Sequence, residues 1–346
     1  MGNWLGDAGS QLMNHDLNDV RTMLRETRKF LSSQVAPTGQ YVSRAIPGIQ
    51  RARLAMSSSS LALIINYVPQ GKKYDRNLKN LSIQFDRRIS IINDQGSTTE
   101  RVAILETKGL EISLQEAFIE VISMILPSFE NATDSEVMRL INNLVEVFQL
   151  LGSPSKKSVL GLWGELFAIW RSTDLENTTK AWHSSTTDRY DFGDAQQRVE
   201  VKTTTGPRSH FFSYEQLNPS PHIEVFVCSI ITEADDSNTS CSFLLSEIAK
   251  LLQSPVTKQH LLKTAIATLG SNWPLESVIS FDLNSAIQST RWYKTENIPR
   301  VDSLPVGVSQ VKFKSDLQDS PDTPIESLAL NSGLIRAFSS SNSRPL

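Results

Sequence analysis

The chain has 346 residues, of which 39% are hydrophobic and 21% charged, with a net charge of -3. That length favours about two domains, and the composition excludes a disordered chain. The small negative charge excludes a uniformly basic nucleic-acid coat but leaves room for a local basic cleft. Cys228 and Cys241 are the only cysteines and form no CxxC pair. Neither a disulfide framework nor a zinc knuckle is expected, and a reducing cytoplasm is the default. The opening Met1-Gly2-Asn3-Trp4-Leu5-Gly6 has no secretion-signal layout and lacks the Ser or Thr that myristoylation wants. The longest apolar run, Leu61 to Ile65, is far short of a membrane span, so no membrane partner is expected.

In chain order, the spacing predicts one helix from about Asp16 to Leu31, ended before Pro37. Short β-prone runs follow at Ala52 to Met56, Leu61 to Tyr67, Leu81 to Phe85, Ile89 to Ile92 and Val102 to Leu105. They suggest a compact antiparallel sheet with a structural, docking or target-reading role. Helical periodicity returns at Leu114 to Leu126 and at Asp134 to Leu151, and Gly152-Ser153-Pro154-Ser155 breaks it. The expected layout is a β-rich domain at 1–110, a helical connector at 111–154 and a second domain at 155–317. A polar tail at 318–346 has little to bury and is expected to fray.

The second half changes rhythm. Helices are predicted at Lys157 to Arg171, Ser213 to Leu217, Phe243 to Leu252 and Gln259 to Leu269. Strands are predicted at Arg198 to Thr203, Ile223 to Thr232, Val278 to Leu283, Arg291 to Lys294 and Val308 to Phe313. Interleaved helices and strands imply an α/β domain, a mixed sheet flanked by helices.

One stretch carries chemistry, Asp191-Phe192 through Glu200-Val201-Lys202. In a strand, Glu200 and Lys202 point to one face while Val199 and Val201 point to the other. Two acids and a lysine at a strand end can hold a divalent metal and a phosphate together. Asp191 and Glu200 are the candidate metal ligands, the Val201 carbonyl is a candidate third, and Lys202 can orient water or stabilise developing charge. Taken alone, Glu-x-Lys is a weak signal, because exposed strands commonly alternate charges.

Glu165 strengthens the functional reading. It lies in an almost wholly apolar helix among Leu162, Leu166 and Ile169. A buried charge there costs several kcal/mol unless paired, so a metal or Lys202 is the expected partner. The alternative is a glutamate escaping at the helix edge. Gly161 and Gly164 would let another backbone approach. Downstream, Gln216 can bond a phosphate, the attacking water or Glu200. Arg208 and His210 lie where a DNA phosphate would pass, or are solvated loop residues. His183 and His222 have no partner at zinc-ligand spacing. The chain has neither a GxxxxGK[ST] loop nor a G-x-S-x-G elbow.

These residues resemble the PD-(D/E)XK nuclease superfamily, and more narrowly an uncharacterised bacterial family of PD-(D/E)XK members. The likeness rests on Gly161-Leu162-Trp163-Gly164-Glu165-Leu166, Tyr190-Asp191-Phe192, Val199-Glu200-Val201-Lys202-Thr203-Thr204 and Glu215-Gln216-Leu217. Ile298-Pro299-Arg300 and Leu304-Pro305-Val306-Gly307-Val308 also fit. It implies a restriction-endonuclease-like fold, with Glu165, Asp191, Glu200, Lys202 and Gln216 as site residues and Mg²⁺, or Mn²⁺ in its place, as cofactor. It further implies DNA as substrate, a role in restriction or phage defence, ATPase or helicase-like partners and a homodimer that cuts two strands. Tyr190 stands where the superfamily's pattern has proline.

Overall fold

The computed structural model describes residues 17–69, 74–93, 96–129, 132–151, 153–183, 189–236, 239–328 and 333–339. The chain divides into two compact units, Met1–Pro154 and Ser155–Leu346.

The first unit opens with α1 (Leu17–Ser32), followed by β1 (Gln40–Ile46), β2 (Ile49–Met56), β3 (Leu61–Ile65), β4 (Arg76–Asn77), β5 (Leu81–Asn93) and β6 (Gly96–Thr107). The strands run β1-β2-β3-β6-β5-β4, and β1 also pairs with β5 in parallel. This extra pairing closes the sheet on itself, so the expected antiparallel sheet is a small barrel with few free edges. The runs expected as separate strands at 81–85 and 89–92 are one strand. A bulge at Phe85-Asp86 lies between them, with Asp86 at φ 55 and held by Arg101 at 2.6 Å. Ala55, Ile64, Ile91, Val102 and Ile104 pack together in the interior. Glu106 is pinned by Tyr41, Ser60, Ser82 and Gln84.

Helices α2 (Ile112–Ile125) and α3 (Asp134–Leu150) follow. They are not a separate connector. Glu120 on α2 ion-pairs with Arg21 at 2.8 Å, and Glu116 pairs with Arg25 and Arg28, which ties α2 to α1. Among the described residues one helical stretch, Ile112–Phe129, is long and apolar enough to cross a membrane, and most of it is buried within the protein.

The second unit holds α4 (Val159–Arg171), α5 (Leu175–Ala181), β7 (Phe192–Gly193), β8 (Gln197–Thr204), β9 (Ser209–Ser213), α6 (Tyr214–Leu217) and β10 (Glu224–Ile231). It continues through α7 (Cys241–Leu251), α8 (Pro255–Leu269), α9 (Trp273–Glu276), α10 (Leu283–Ser289), β11 (Arg291–Lys294), β12 (Lys312–Asp316), α11 (Ile325–Leu328) and α12 (Leu334–Ala337). The sheet order is β11-β10-β8-β7, with β8 and β10 parallel and the outer pairs antiparallel, and β9 pairs with β12 in a separate ribbon. This is a mixed α/β unit. Cys228 and Cys241 are free and buried.

Three expectations for this half need correction. No strand forms over 278–283, where Ser280 and Phe281 make only isolated bridges because Asp282 caps α10 through the Asn284 N–H at 2.8 Å. The strand expected at 308–313 begins later, at Lys312, after a turn in which Gly307 has φ 85. The tail from 318 does not simply fray. Its Ile325, Leu328, Leu334, Ile335 and Phe338 are buried, and the Phe338 ring meets Phe192 edge-on at 5.2 Å. A polar average had concealed a few well-spaced apolar anchors.

Helix α4 is capped by Ser158, whose hydroxyl accepts from the Gly161 N–H at 3.2 Å, and it lies against β8. Gly164 makes that approach possible, since a Cβ there would fall 1.8 Å from Thr203 Oγ1. Gly161 has no such role; its Cβ would meet only Ser158 Oγ at 3.4 Å. Gly164→Ala should therefore destabilise the unit by about 2 kcal/mol, since overpacking forces helix and strand apart. Urea unfolding checks this, with partial recovery expected in the double variant Gly164→Ala/Thr203→Ala.

Candidate active site

Strand alternation builds the upper part of the site. Glu200 and Lys202 share a face of β8, and Lys202 Nζ donates to Glu200 Oε1 at 2.6 Å. Gln216 on α6 donates from Nε2 to the same oxygen at 2.7 Å, while its Oε1 accepts from the Ser213 N–H that opens its helix. The Lys202 ammonium also lies 5.2 Å from the Phe212 ring centroid, which fixes the direction of its stem.

Thr203 points the other way, onto α4, so the helix carrying Glu165 covers the face opposite Lys202. Glu165 and Lys202 thus lie on opposite sides of the sheet, and Asp191 links their surroundings around the edge of β8. Strand β7 is only two residues long, so β8 has an open edge beyond Val199, and Asp191 Oδ2 accepts the exposed Val201 N–H there at 2.8 Å. The Val201 N–H thus anchors Asp191. Asp191 Oδ1 turns toward the lower cluster, where it accepts from Lys157 Nζ.

The lower cluster satisfies Glu165, which is 1% exposed. Lys157 Nζ donates to its Oε1 at 2.5 Å, Trp182 Nε1 donates to its Oε2 at 2.7 Å, and His183 Nε2 lies 3.1 Å from Oε2. The expected partner, Lys202, is engaged elsewhere. Glu165, His183 and Asp191 each offer a ligand atom, all within 4.8 Å of one another. Lys157 and His183 were not expected. Their sequence positions carry no spacing signal, because the loop after α5 and the segment before α4 bring them in through tertiary structure. His183 also sits at φ 41, a conformation uncommon for a side chain of this kind and often found at functional sites.

The charges are strongly coupled. Burial works against the Lys157 ammonium, but Asp191, Glu165 and Glu200 more than offset this and hold it charged. Burial also opposes ionisation of Glu165, and Lys157 and His183 outweigh it, leaving the carboxyl below its usual range. Asp191 is raised by burial and by Glu165. Glu200 is pushed up to about 7 by burial and by Asp191, with Lys202 acting in the opposite direction. Its second oxygen, Oε2, is buried with no hydrogen-bond partner among the described residues. A buried acceptor left unpaired is costly, and coordination to a cation is one way to satisfy it. The carboxylates of Glu165 and Asp191 and the His183 imidazole therefore form a donor set that fits a divalent ion, and Glu200 is not among these three clustered ligands.

Arg208 and His210 are not a phosphate-binding pair. Each is 4% exposed. Arg208 donates to the Ser229 carbonyl at 2.8 Å, and His210 Nε2 lies 2.7 Å from Ser229 Oγ. They bind β9 to β10 from within. A charged residue just after a strand reads as surface in sequence, but here the ribbon folds over it.

A family model described as "Putative PD-(D/E)XK family member (DUF4420)" matches residues 25–318. Neither the curated proteins nor the solved structures contain a match to the chain.

The buried His210 generates a pH prediction. Burial first, and then the charges of Lys202, Arg208 and Lys314, lower its pKa from 6.5 to about 4. Between those values the unfolded chain binds the extra proton, so stability is full above about pH 6.5 and falls as pH drops toward 4, by up to about 3 kcal/mol. In urea unfolding at pH 7 and pH 4.5, His210→Gln should show a smaller loss between the two pH values than wild type does.

Proposed function

The chain belongs to this PD-(D/E)XK family, whose fold is nuclease-like, and on that premise we propose that it is a metal-dependent endodeoxyribonuclease hydrolysing DNA phosphodiester bonds. The observation that carries this reading is the meeting of Asp191, Glu200 and Lys202 at the open edge of β8, with Glu200 Oε2 buried and unpaired. Asp191 and Glu200 would hold the cation, Mg²⁺ by preference, and the His183 imidazole makes Mn²⁺ an equally suitable occupant. When bound, such an ion neutralises the scissile phosphate and acidifies a coordinated water.

The remaining chemistry belongs to side chains. Lys202, steadied by Glu200 and the Phe212 ring, presents an ammonium that can stabilise the charge developing on the phosphate. Gln216 orients Glu200 through its Oε1 and leaves Oε2 to the cation. Asp191 is held rigid by the Val201 N–H, so its position is set by strand geometry rather than by a mobile loop. Restriction or phage defence alongside an ATPase partner, in a homodimer that cuts both strands, is the biological setting proposed with this activity. A second reading, a DNA- or partner-binding subunit that keeps the fold without cutting, draws on Lys157, which already neutralises Glu165 and Asp191.

Cleavage assays separate the two. Wild type should cut DNA with Mg²⁺ or Mn²⁺ and be silenced by EDTA. Asp191→Asn, Glu200→Gln and Lys202→Met should each lose roughly a hundredfold or more of the rate, with circular dichroism unchanged. Equal activity in wild type and all three variants would sink the nuclease reading.

A further inference from the structure

Lys157 precedes Ser158, the residue that caps α4, and its ammonium stands where the ligands of a cation converge. Its Nζ is 2.5 Å from Glu165 Oε1, is hydrogen-bonded to Asp191 Oδ1, and lies 3.4 Å from His183 Nε2. These are the three side chains whose ligand atoms cluster within 4.8 Å. An ammonium has three donors and no acceptor, so it needs the same lone pairs that a metal would take. Two cations within a few ångströms repel strongly, more so when buried, and one must give way.

The backbone at this point is anchored. The Lys157 N–H and Ser155 Oγ both reach the Thr268 carbonyl, and Ser155 Oγ also donates to the Lys157 carbonyl at 2.7 Å. The side chain is freer, with a third of its surface open to solvent. It lies outside the helix, so it can swing away without disturbing α4.

Building on the metal-dependent reading above, we propose that Lys157 is a stand-in cation. It occupies the lone pairs of Glu165 and Asp191 and keeps both side chains ordered while no metal is present, and a divalent ion loads only as the Lys157 side chain leaves. The acid cluster is thereby assembled before its ion arrives, and loading becomes an exchange of one cation for another.

The test uses the full chain and Mn²⁺ alone, without DNA. Acetic anhydride labelling of wild type, followed by peptide mass spectrometry, should modify Lys157 several-fold faster with saturating Mn²⁺ than without it. Calorimetric titration should give Lys157→Met a Kd for Mn²⁺ lower than that of wild type by roughly tenfold or more. The thermal midpoint of this variant should fall without the ion and recover with it. A Lys157→Met chain that folds only when Mn²⁺ is present also supports the proposal. A labelling rate unchanged or slowed by Mn²⁺, or a Kd in the variant equal to or above that of wild type, overturns it. Cleavage by wild type with unchanged labelling removes the exchange and leaves the nuclease. Displacement of Lys157 without any cleavage removes the nuclease and leaves the exchange.

Discussion

The carboxylate of Asp191 joins everything else in the second unit. One oxygen takes the Val201 N–H at the open edge of β8, and the other takes the Lys157 ammonium that also neutralises Glu165. A sheet edge normally offers its backbone groups to water or to another chain. Here the shortness of β7 frees one N–H, and a side chain from the same turn claims it. The strand carrying Glu200 and Lys202, the helix carrying Glu165 and the loop carrying His183 are thus linked through a single group. Removing that link would leave buried charges on both sides without partners, which is far more costly than losing an exposed ion pair.

The arrangement explains why so apolar a helix tolerates an acid. Glu165 has no water to solvate it, but a lysine, an indole N–H and an imidazole surround its two oxygens. Glu200 is treated differently. Its Oε1 is doubly satisfied, while its Oε2 has no partner and its pKa is pushed up to about 7. One acid is fully settled by the protein, and the other is left able to bind something more. That division of labour is set by which face of β8 each approaches, a consequence of strand alternation and of the close packing of Gly164 on Thr203.

Local pattern made part of this readable. Alternation along β8 anticipates the Glu200–Lys202 pair, and an acid within an apolar helical stripe anticipates the burial of Glu165. Gln216 is readable as a residue of the first turn after Ser213, while its bond to Glu200 is one of three open partners. What local pattern does not carry is who arrives from elsewhere. Lys157 reads as the first residue of a helix, and His183 lacks a second histidine at metal-ligand spacing, yet both are delivered to the acids by segments outside the helices. Arg208 and His210 fail in the opposite sense, since residue type says surface while the β9–β12 ribbon buries them. The closure of the barrel by β1 and β5 was hidden for the same reason, because pairing between strands distant in sequence leaves no periodic trace.

The segment around α12 has a consequence for biosynthesis. Its Leu334 and Ile335 N–H groups bond Asp194 and Gln197, so the start of β8 is held by residues made 138 to 140 positions later. A ribosome releases β8 long before those residues exist. The nascent chain therefore carries its acid-bearing strand without its clamp, and docking of the late segment becomes the step that completes the domain. The acid cluster would in this way remain unfinished until the end of the domain has been translated.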